Sequence, residues 1–257
     1  MKRISSVHNT IVTETAKLKI TKERKKSALF CAEGYKLIGE LISCNYEIVH
    51  CFISESADIN SLPKEIDTDK IYLVSEQILK KISSMTTPSE IIAVAKEKKE
   101  LSDYADNKCI LALDCIQDPS NLGAIFRSAE AFGINTVLLG EGCCDAFSAK
   151  ALRSSMGSVL RLNIVNVPLD NELFKLKNKK YTIIGTGLDR NYRTVDKLSD
   201  YDKKVIVIGN EGNGISSKVE ACCDFGMFIP MTGKNESLNA AVAASIILWE
   251  EQRQNNE

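Results

Sequence analysis

Histidine is nearly missing from this chain of 257 residues, in which only His8 and His50 occur. Two imidazoles argue against a histidine-built metal centre and against a Ser-His triad. Charge of one sign is missing as well. The 33 Lys and Arg are balanced by 34 Asp and Glu, so there is no global basic field. No apolar run reaches the ~20 residues of a membrane span. The opening Met1-Lys-Arg-Ile-Ser-Ser lacks the apolar core of a signal peptide. A cytoplasmic protein with no membrane anchor and no metal is the expectation. No G-x-G-x-x-G and no G-x-x-x-x-G-K-[ST] is present, which removes the two common phosphate-binding fingerprints and with them most nucleotide-dependent enzymes.

Cysteine, by contrast, is plentiful, with nine residues, but the arrangement lacks C-x-x-C. Cys143-Cys144 and Cys222-Cys223 are vicinal pairs, which suit neither zinc ligation nor an ordinary disulfide. The count is odd, and most of the others lie in apolar segments. Reduced, mostly buried thiols are expected.

The length allows one large or two ordinary domains. Hydrophobic residues at 44% and charged residues at 26% suit a soluble globular protein. Residues 1–26 are locally basic. Lys2, Arg3, Lys17, Lys19, Lys22, Arg24, Lys25 and Lys26 stand against Glu14 and Glu23, a net of +6. Such a run is either a solvated helix face or a phosphate-contacting arm. From Ala28 to about 100, short apolar strands alternate with helices such as Glu76–Ile82, which predicts a small α/β unit. Lys96 to Asn107 is polar and charged and reads as the linker.

Beyond it the pattern is strongly α/β. Cys109–Cys115, Thr136–Leu139, Asn163–Val167, Tyr181–Gly185, Lys204–Ile208 and Gly226–Ile229 read as strands of a parallel sheet, with helices at Asn121–Phe132 and Ser237–Arg253. Ligands of such sheets bind outside the carboxyl ends of the strands. Polar groups gather at those ends. Asp114-Cys-Ile-Gln-Asp118-Pro119-Ser120-Asn121 leads to Arg127. Val205-Ile-Val-Ile-Gly209-Asn210-Glu211-Gly212-Asn213-Gly214 is a glycine turn with one carboxylate. Ile229-Pro230-Met231-Thr232-Gly233-Lys234-Asn235-Glu236-Ser237-Leu238-Asn239 opens the closing helix, with Ser237 as its expected N-cap. Backbone donors, a hydroxyl and an amide beside a helix N-terminus suit a small polar ligand or a developing negative charge.

In these three motifs the chain resembles the SpoU (TrmH-type) branch of the SPOUT RNA methyltransferases. The G-x-E-G-x-G core, the Asn121-to-Arg127 spacing and the I-P-M…S-L-N run are all present. Ala240-Ala241 departs from the Val-Ser common in relatives, which changes packing only. The resemblance implies a parallel sheet tied in a deep trefoil knot over residues 107–257. In front of it, over residues 1–100, it implies an L30e-like domain that binds the RNA substrate. The implied reaction is methyl transfer from S-adenosyl-L-methionine to a ribose 2′-hydroxyl of structured RNA, ribosomal RNA favoured over transfer RNA. Implied cofactor contacts are Thr186, Gly187, Leu188, Gly209, Ile229 and Leu238. Implied reacting-centre residues are Asn121, Arg127, Glu211, Ser237 and Asn239. Arg127 would face the 2′-oxygen or its neighbouring phosphate, Glu211 would orient Arg127, and Ser237 and Asn239 would fix the loop or the ribose. The family also implies a homodimer through the C-terminal domain, for which the small residues Ala240, Ala241, Ala243 and Ala244 would allow close helix approach. A non-catalytic RNA-binding or ribosome-assembly protein on the same fold is the alternative reading. Such a protein would have no need to keep all five polar site residues.

Overall fold

A computed structural model describes residues 1–58, 62–100, 104, 107–187, 193–232 and 237–255. The chain divides into two compact units. One is Met1–Lys99 with Phe147–Leu160, and the other is Glu100–Ala146 with Arg161–Glu257.

The first unit begins with strand β1 (Lys2–Ile4), helices α1 (Thr10–Lys17) and α2 (Thr21–Ser27), then β2 (Leu29–Glu33), α3 (Tyr35–Ser43), β3 (Ile48–Ser54), β4 (Ile71–Val74), α4 (Glu76–Ile82) and β5 (Ile91–Lys96). Its sheet runs β1-β4-β3-β5-β2. The first three strands are parallel, and β5 is antiparallel to both β3 and β2. One face of this sheet, with Phe52, Tyr72, Ile92 and Val94, packs on Val12 and Leu18 and on Ile78, Leu79 and Ile82 of α4.

The basic opening segment is thus a strand and two helices. Arg24 is a correction to its reading as one of a set of phosphate-contacting cations. It is 4% exposed and donates to the Leu18 carbonyl at 2.6 Å and to Thr21 Oγ1 at 2.9 Å, closing the corner between α1 and α2. Glu33, at the end of β2, accepts from Ser83 Oγ (2.6 Å) and from the Ser84 amide (2.8 Å), which fixes the loop after α4.

The second unit contains β6 (Cys109–Leu113), α5 (Pro119–Ala131) and β7 (Thr136–Leu139). The next helix, α6 (Ala149–Ser154), belongs to the first unit, as does Phe147, whose ring lies 4.7 Å from that of Phe30. The second unit then continues through β8 (Asn163–Asn166), α7 (Leu169–Asn178), β9 (Thr182–Thr186), β10 (Arg193–Thr194), β11 (Lys204–Ile208), α8 (Ser217–Glu220), β12 (Phe225–Phe228) and α9 (Ala240–Asn255). Its sheet runs β10-β12-β9-β11-β6-β7-β8, with every pairing parallel.

The central strands are largely buried, β11 at all five residues, as expected of a parallel sheet covered on both faces. On one side Leu169, Leu173 and Leu176 of α7 and Val219 of α8 meet Ile110, Ile183, Val205 and Val207. Elsewhere α5 and α9 pack on each other, with Ser128 Oγ and Ser245 Oγ 2.7 Å apart. Lys204, 2% exposed, reaches both carboxylate oxygens of Glu251 in α9 at 2.9 Å. Among the described residues no helix is long and apolar enough to cross a membrane.

Candidate active site

The carboxyl ends of β9, β11 and β12 and the start of α9 enclose a cavity of about 430 Å³ within the second unit. Its floor is backbone. Gly209 follows β11, and a Cβ there would stand 2.3 Å from the Gly214 carbonyl carbon and 2.4 Å from the Ile215 nitrogen. Only glycine lets the turn fold back this tightly. The turn closes on itself through paired bonds between the Asn210 and Gly214 backbones, each 2.9 Å. Asn210 Oδ1 also accepts from the Gly212 and Asn213 amides at 2.9 and 3.2 Å, an Asx turn. Its Nδ2 donates to the Cys115 carbonyl at 2.9 Å, tying the glycine turn to the loop after β6. Buried Asp114 adds a second tie, accepting from the Ser216 amide at 2.7 Å. Neither Asn210 nor Asp114 was expected to matter from sequence. An Asn directly after Gly209, at the start of the glycine turn, is the available signal for the first.

Five of the six expected cofactor contacts line the cavity: Thr186, Gly187, Gly209, Ile229 and Leu238. Leu188 lies outside the described residues. Two of the five have their hydrogen-bonding groups engaged. Thr186 Oγ1 donates to the Val207 carbonyl at 2.8 Å, and the Gly187 amide donates to the Met227 carbonyl at 3.0 Å. They shape the wall, and the remaining lining is largely apolar, from Ile215, Phe225, Met231, Ala243 and Ile247. A flat heterocycle with a short polar tail fits such a cradle, because main chain comes close on one side and side-chain carbon on the other.

Glu211 and Ser237 also line this cavity. Glu211 Oε1 accepts from Asn121 Nδ2. Asn121 Oδ1 in turn accepts from Asn239 Nδ2 at 3.1 Å. Asn239 Oδ1 accepts from the amides of Ala241 (2.9 Å) and Val242 (3.3 Å), and its carbonyl takes the first helical bond, from Ala243. A carboxylate, two amides and a helix N-terminus therefore form one chain of hydrogen bonds across all three motifs. Each amide can bond in only one sense here, oxygen to donor and nitrogen to acceptor, so the chain is directional.

Two expectations are corrected by this geometry. Ser237 does not cap the closing helix. Asn239 does, and the helix starts at Ala240, because the Asn239 side chain reaches two free amides while still bridging to Asn121. Nor does Glu211 orient Arg127. Its carboxylate is taken by Asn121, and Arg127, exposed on α5, makes no hydrogen bond or ion pair among the described residues. Its guanidinium is open to solvent and to a bound partner. No group of three or more His, Cys, Asp or Glu that could hold a metal occurs among the described residues.

Comparison with known proteins agrees with this architecture. Residues 108–249 match the family model described as the SpoU rRNA Methylase family, and residues 9–93 match the MRM3-like substrate binding domain. The chain is 32% identical over 250 residues to the 23S rRNA (guanosine(2553)-2′-O)-methyltransferase RlmP of Bacillus subtilis, covering 97% of this chain and 98% of that protein. A TrmH-family putative RNA methyltransferase from Porphyromonas gingivalis superposes with a TM-score of 0.83 at 28% identity, over 97% of this chain and 99% of the other. An AdoMet-bound rRNA methyltransferase from Sinorhizobium meliloti gives 0.82 at 25% identity, over 98% and 97%.

Proposed function

The chain belongs to the SpoU rRNA methylase family, and we propose that it transfers the methyl group of S-adenosylmethionine to a ribose 2′-hydroxyl of structured RNA, ribosomal RNA in the first place. The observation that carries this reading is the hydrogen-bonded chain from Glu211 through Asn121 and Asn239 to the α9 N-terminus, at the mouth of a cavity with a glycine floor.

S-adenosylmethionine supplies an electrophilic methyl group on a sulfonium. The Gly209 turn and the walls at Thr186, Gly187, Ile229 and Leu238, which line the cavity, would hold it. The protein's task is to set a weakly acidic ribose hydroxyl in line and to stabilise the charge that grows on its oxygen. Arg127 does the second. Its guanidinium acts as an electrostatic stabiliser and not as the base, the proton leaving late or to water. Glu211 fixes Asn121 rather than Arg127, and Asn121 and Asn239 present a set orientation to the ribose. Ser237, exposed beside them, adds a hydroxyl at the same mouth.

The same reading takes residues 107–257 as a deeply knotted catalytic domain and residues 1–100 as an L30e-like domain that holds RNA, with Phe147–Leu160 packed into the first unit. It also takes the protein to be a cytoplasmic homodimer through the second unit. Val242 and Trp249, seven residues apart on α9, support the dimer by being 47% and 49% exposed. The decisive experiment is transfer of labelled methyl to unmodified ribosomal and transfer RNA pools, with the modified ribose mapped. Label in the ribosomal pool that vanishes in Arg127→Ala is the expected result. Failure to bind S-adenosylmethionine would turn the reading to a non-catalytic RNA-binding protein.

A further inference from the structure

We propose that Asp114 and Asn210 are positioning residues for the cofactor. Together they clasp the glycine turn to the loop after β6, and so hold the cavity floor in its binding shape before S-adenosylmethionine arrives. The proposal rests on the reading of this cavity as the cofactor site and adds two residues beyond the expected contacts. The turn has little else to keep it in place. Glu211, Gly212, Asn213 and Gly214 are all exposed, so no buried apolar side chain anchors them. Hydrogen bonds must supply the order.

The two ties pin opposite ends of the turn. Strands β6 and β11 pair in register up to Leu113 and Ile208, and the Asp114 amide still donates to the Ile208 carbonyl at 2.9 Å. The two loops thus leave the sheet side by side, and each gives the other one side-chain bond. Asn210, at the start of the turn, donates through Nδ2 to the Cys115 carbonyl at 2.9 Å. Asp114 accepts from the amide of Ser216, just past the end of the turn, at 2.7 Å. With Asp114 only 4% exposed, water competes little for that carboxylate, and bonds of this kind are among the stronger ones.

The backbone between the ties is strained. Cys115 has a φ of +58°, a left-handed conformation uncommon outside glycine, and its carbonyl is the one that Asn210 holds. Gly142 makes room for it, since a Cβ there would stand 2.8 Å from Cys115 Sγ. Strain of this sort persists where the surroundings over-determine it, and it collects at functional sites. A floor already in shape leaves nothing for the ligand to order. Where only a fraction of the molecules is competent, the apparent affinity falls by that fraction. Loss of either tie therefore weakens cofactor binding in a protein that still folds.

The test uses the full chain. Affinity for S-adenosylmethionine is measured by calorimetry, and amide exchange across residues 209–216 by mass spectrometry without the cofactor. Asp114→Ala removes one tie. Asn210→Asp removes the other, while its side chain still accepts from the Gly212 and Asn213 amides. Each should weaken binding about five- to ten-fold, the worth of roughly one hydrogen bond, and speed exchange across the turn by a similar factor. In methyl-transfer assays the KM for S-adenosylmethionine should rise to the same extent, while kcat at saturation falls less than about two-fold. A merely structural role would lower kcat through lost folded protein and leave KM where it was. Unchanged affinity, or unchanged exchange, in a folded variant overturns the clasp, and so does a loss confined to kcat. If Asp114→Ala does not fold, Asn210→Asp decides alone. No cofactor binding by the unaltered protein would count against methyl transfer, and the exchange result would then decide the clasp by itself.

Discussion

Asn239 and Asn121 meet side chain to side chain, Nδ2 to Oδ1 across 3.1 Å, while the other end of the Asn239 amide caps α9. One residue therefore sets both where the closing helix begins and how the first motif faces the cavity. Asn239→Ala should cost about 0.5–2 kcal/mol of stability, the usual worth of an N-cap. It should also lower methyl transfer by more than that stability loss explains. Asn239→Asp keeps an acceptor for the helix amides and loses the donor to Asn121, so its melting temperature should stay near normal while its activity falls. Thermal melts beside methyl-transfer rates separate the two roles.

Arg127 is exposed and makes no hydrogen bond or ion pair among the described residues, so removing it should leave the fold almost untouched. Arg127→Ala is expected to shift unfolding free energy by no more than ~0.5 kcal/mol and to cut methyl transfer about 100-fold or more. Arg127→Lys keeps the charge but not the planar fork and should recover only a small part. Equal turnover in Arg127→Lys and the unaltered protein would remove the geometric role assigned to the guanidinium.

The Lys204–Glu251 pair is almost fully buried, with side chains 2% and 4% exposed. Glu251→Gln leaves the ammonium without its counter-charge and should cost about 3–5 kcal/mol. Replacing both partners, Lys204→Met with Glu251→Leu, should recover most of that loss, because no charge then needs a partner in the interior. Urea denaturation of the single and double variants measures the difference.

Stability should fall on the alkaline side. Burial pushes the Cys51 thiol up to about 12, and burial with the nearby Glu33 carboxylate does the same for Cys31. A thiol with a raised folded pKa contributes stability that is fully present below the unfolded value, about 8.5. That contribution is lost as pH climbs toward 12, since the unfolded chain ionises first. Each such thiol contributes a slope of ~1.4 kcal/mol per pH unit in that window. Cys51→Ala should flatten the decline between pH 9 and 11 in urea titrations, measured against its own value at pH 7.

The parts of the fold that could be read from sequence are those where one local rule dominates. The strand Lys204–Ile208 and the helix Glu76–Ile82 stand where the apolar runs put them, because burial on both faces or on one stripe leaves a plain pattern. Helix α7 is poorly marked in the sequence, although Leu169, Leu173 and Leu176 fall at helical spacing, since its charged residues outnumber its leucines. In the basic run a solvated helix face is one of two readings, and α1 and α2 agree with it, but the buried role of Arg24 does not show in a run of like charges. In the site, the glycine floor was legible because a turn that tight has few chemical solutions. Which polar group pairs with which was not. Glu211 could reach for an amide or a guanidinium, and Ser237 and Asn239 are both good caps. Only the packing of α5 against α9 decides between them.

The first unit is interrupted in sequence, since Phe147–Leu160 completes a body whose other residues end at Lys99. Translation delivers these pieces out of step. A nascent chain made only through Lys99 has its Phe30 ring without Phe147 beside it, and that flank stays open until much of the following unit has been synthesised. The order of assembly then runs against the order of synthesis. A fragment cut at the linker is an unfinished body with an apolar seam, and expressing residues 1–99 alone should yield a sticky, chaperone-dependent product. A version with Phe147–Leu160 grafted after a short linker should instead be soluble.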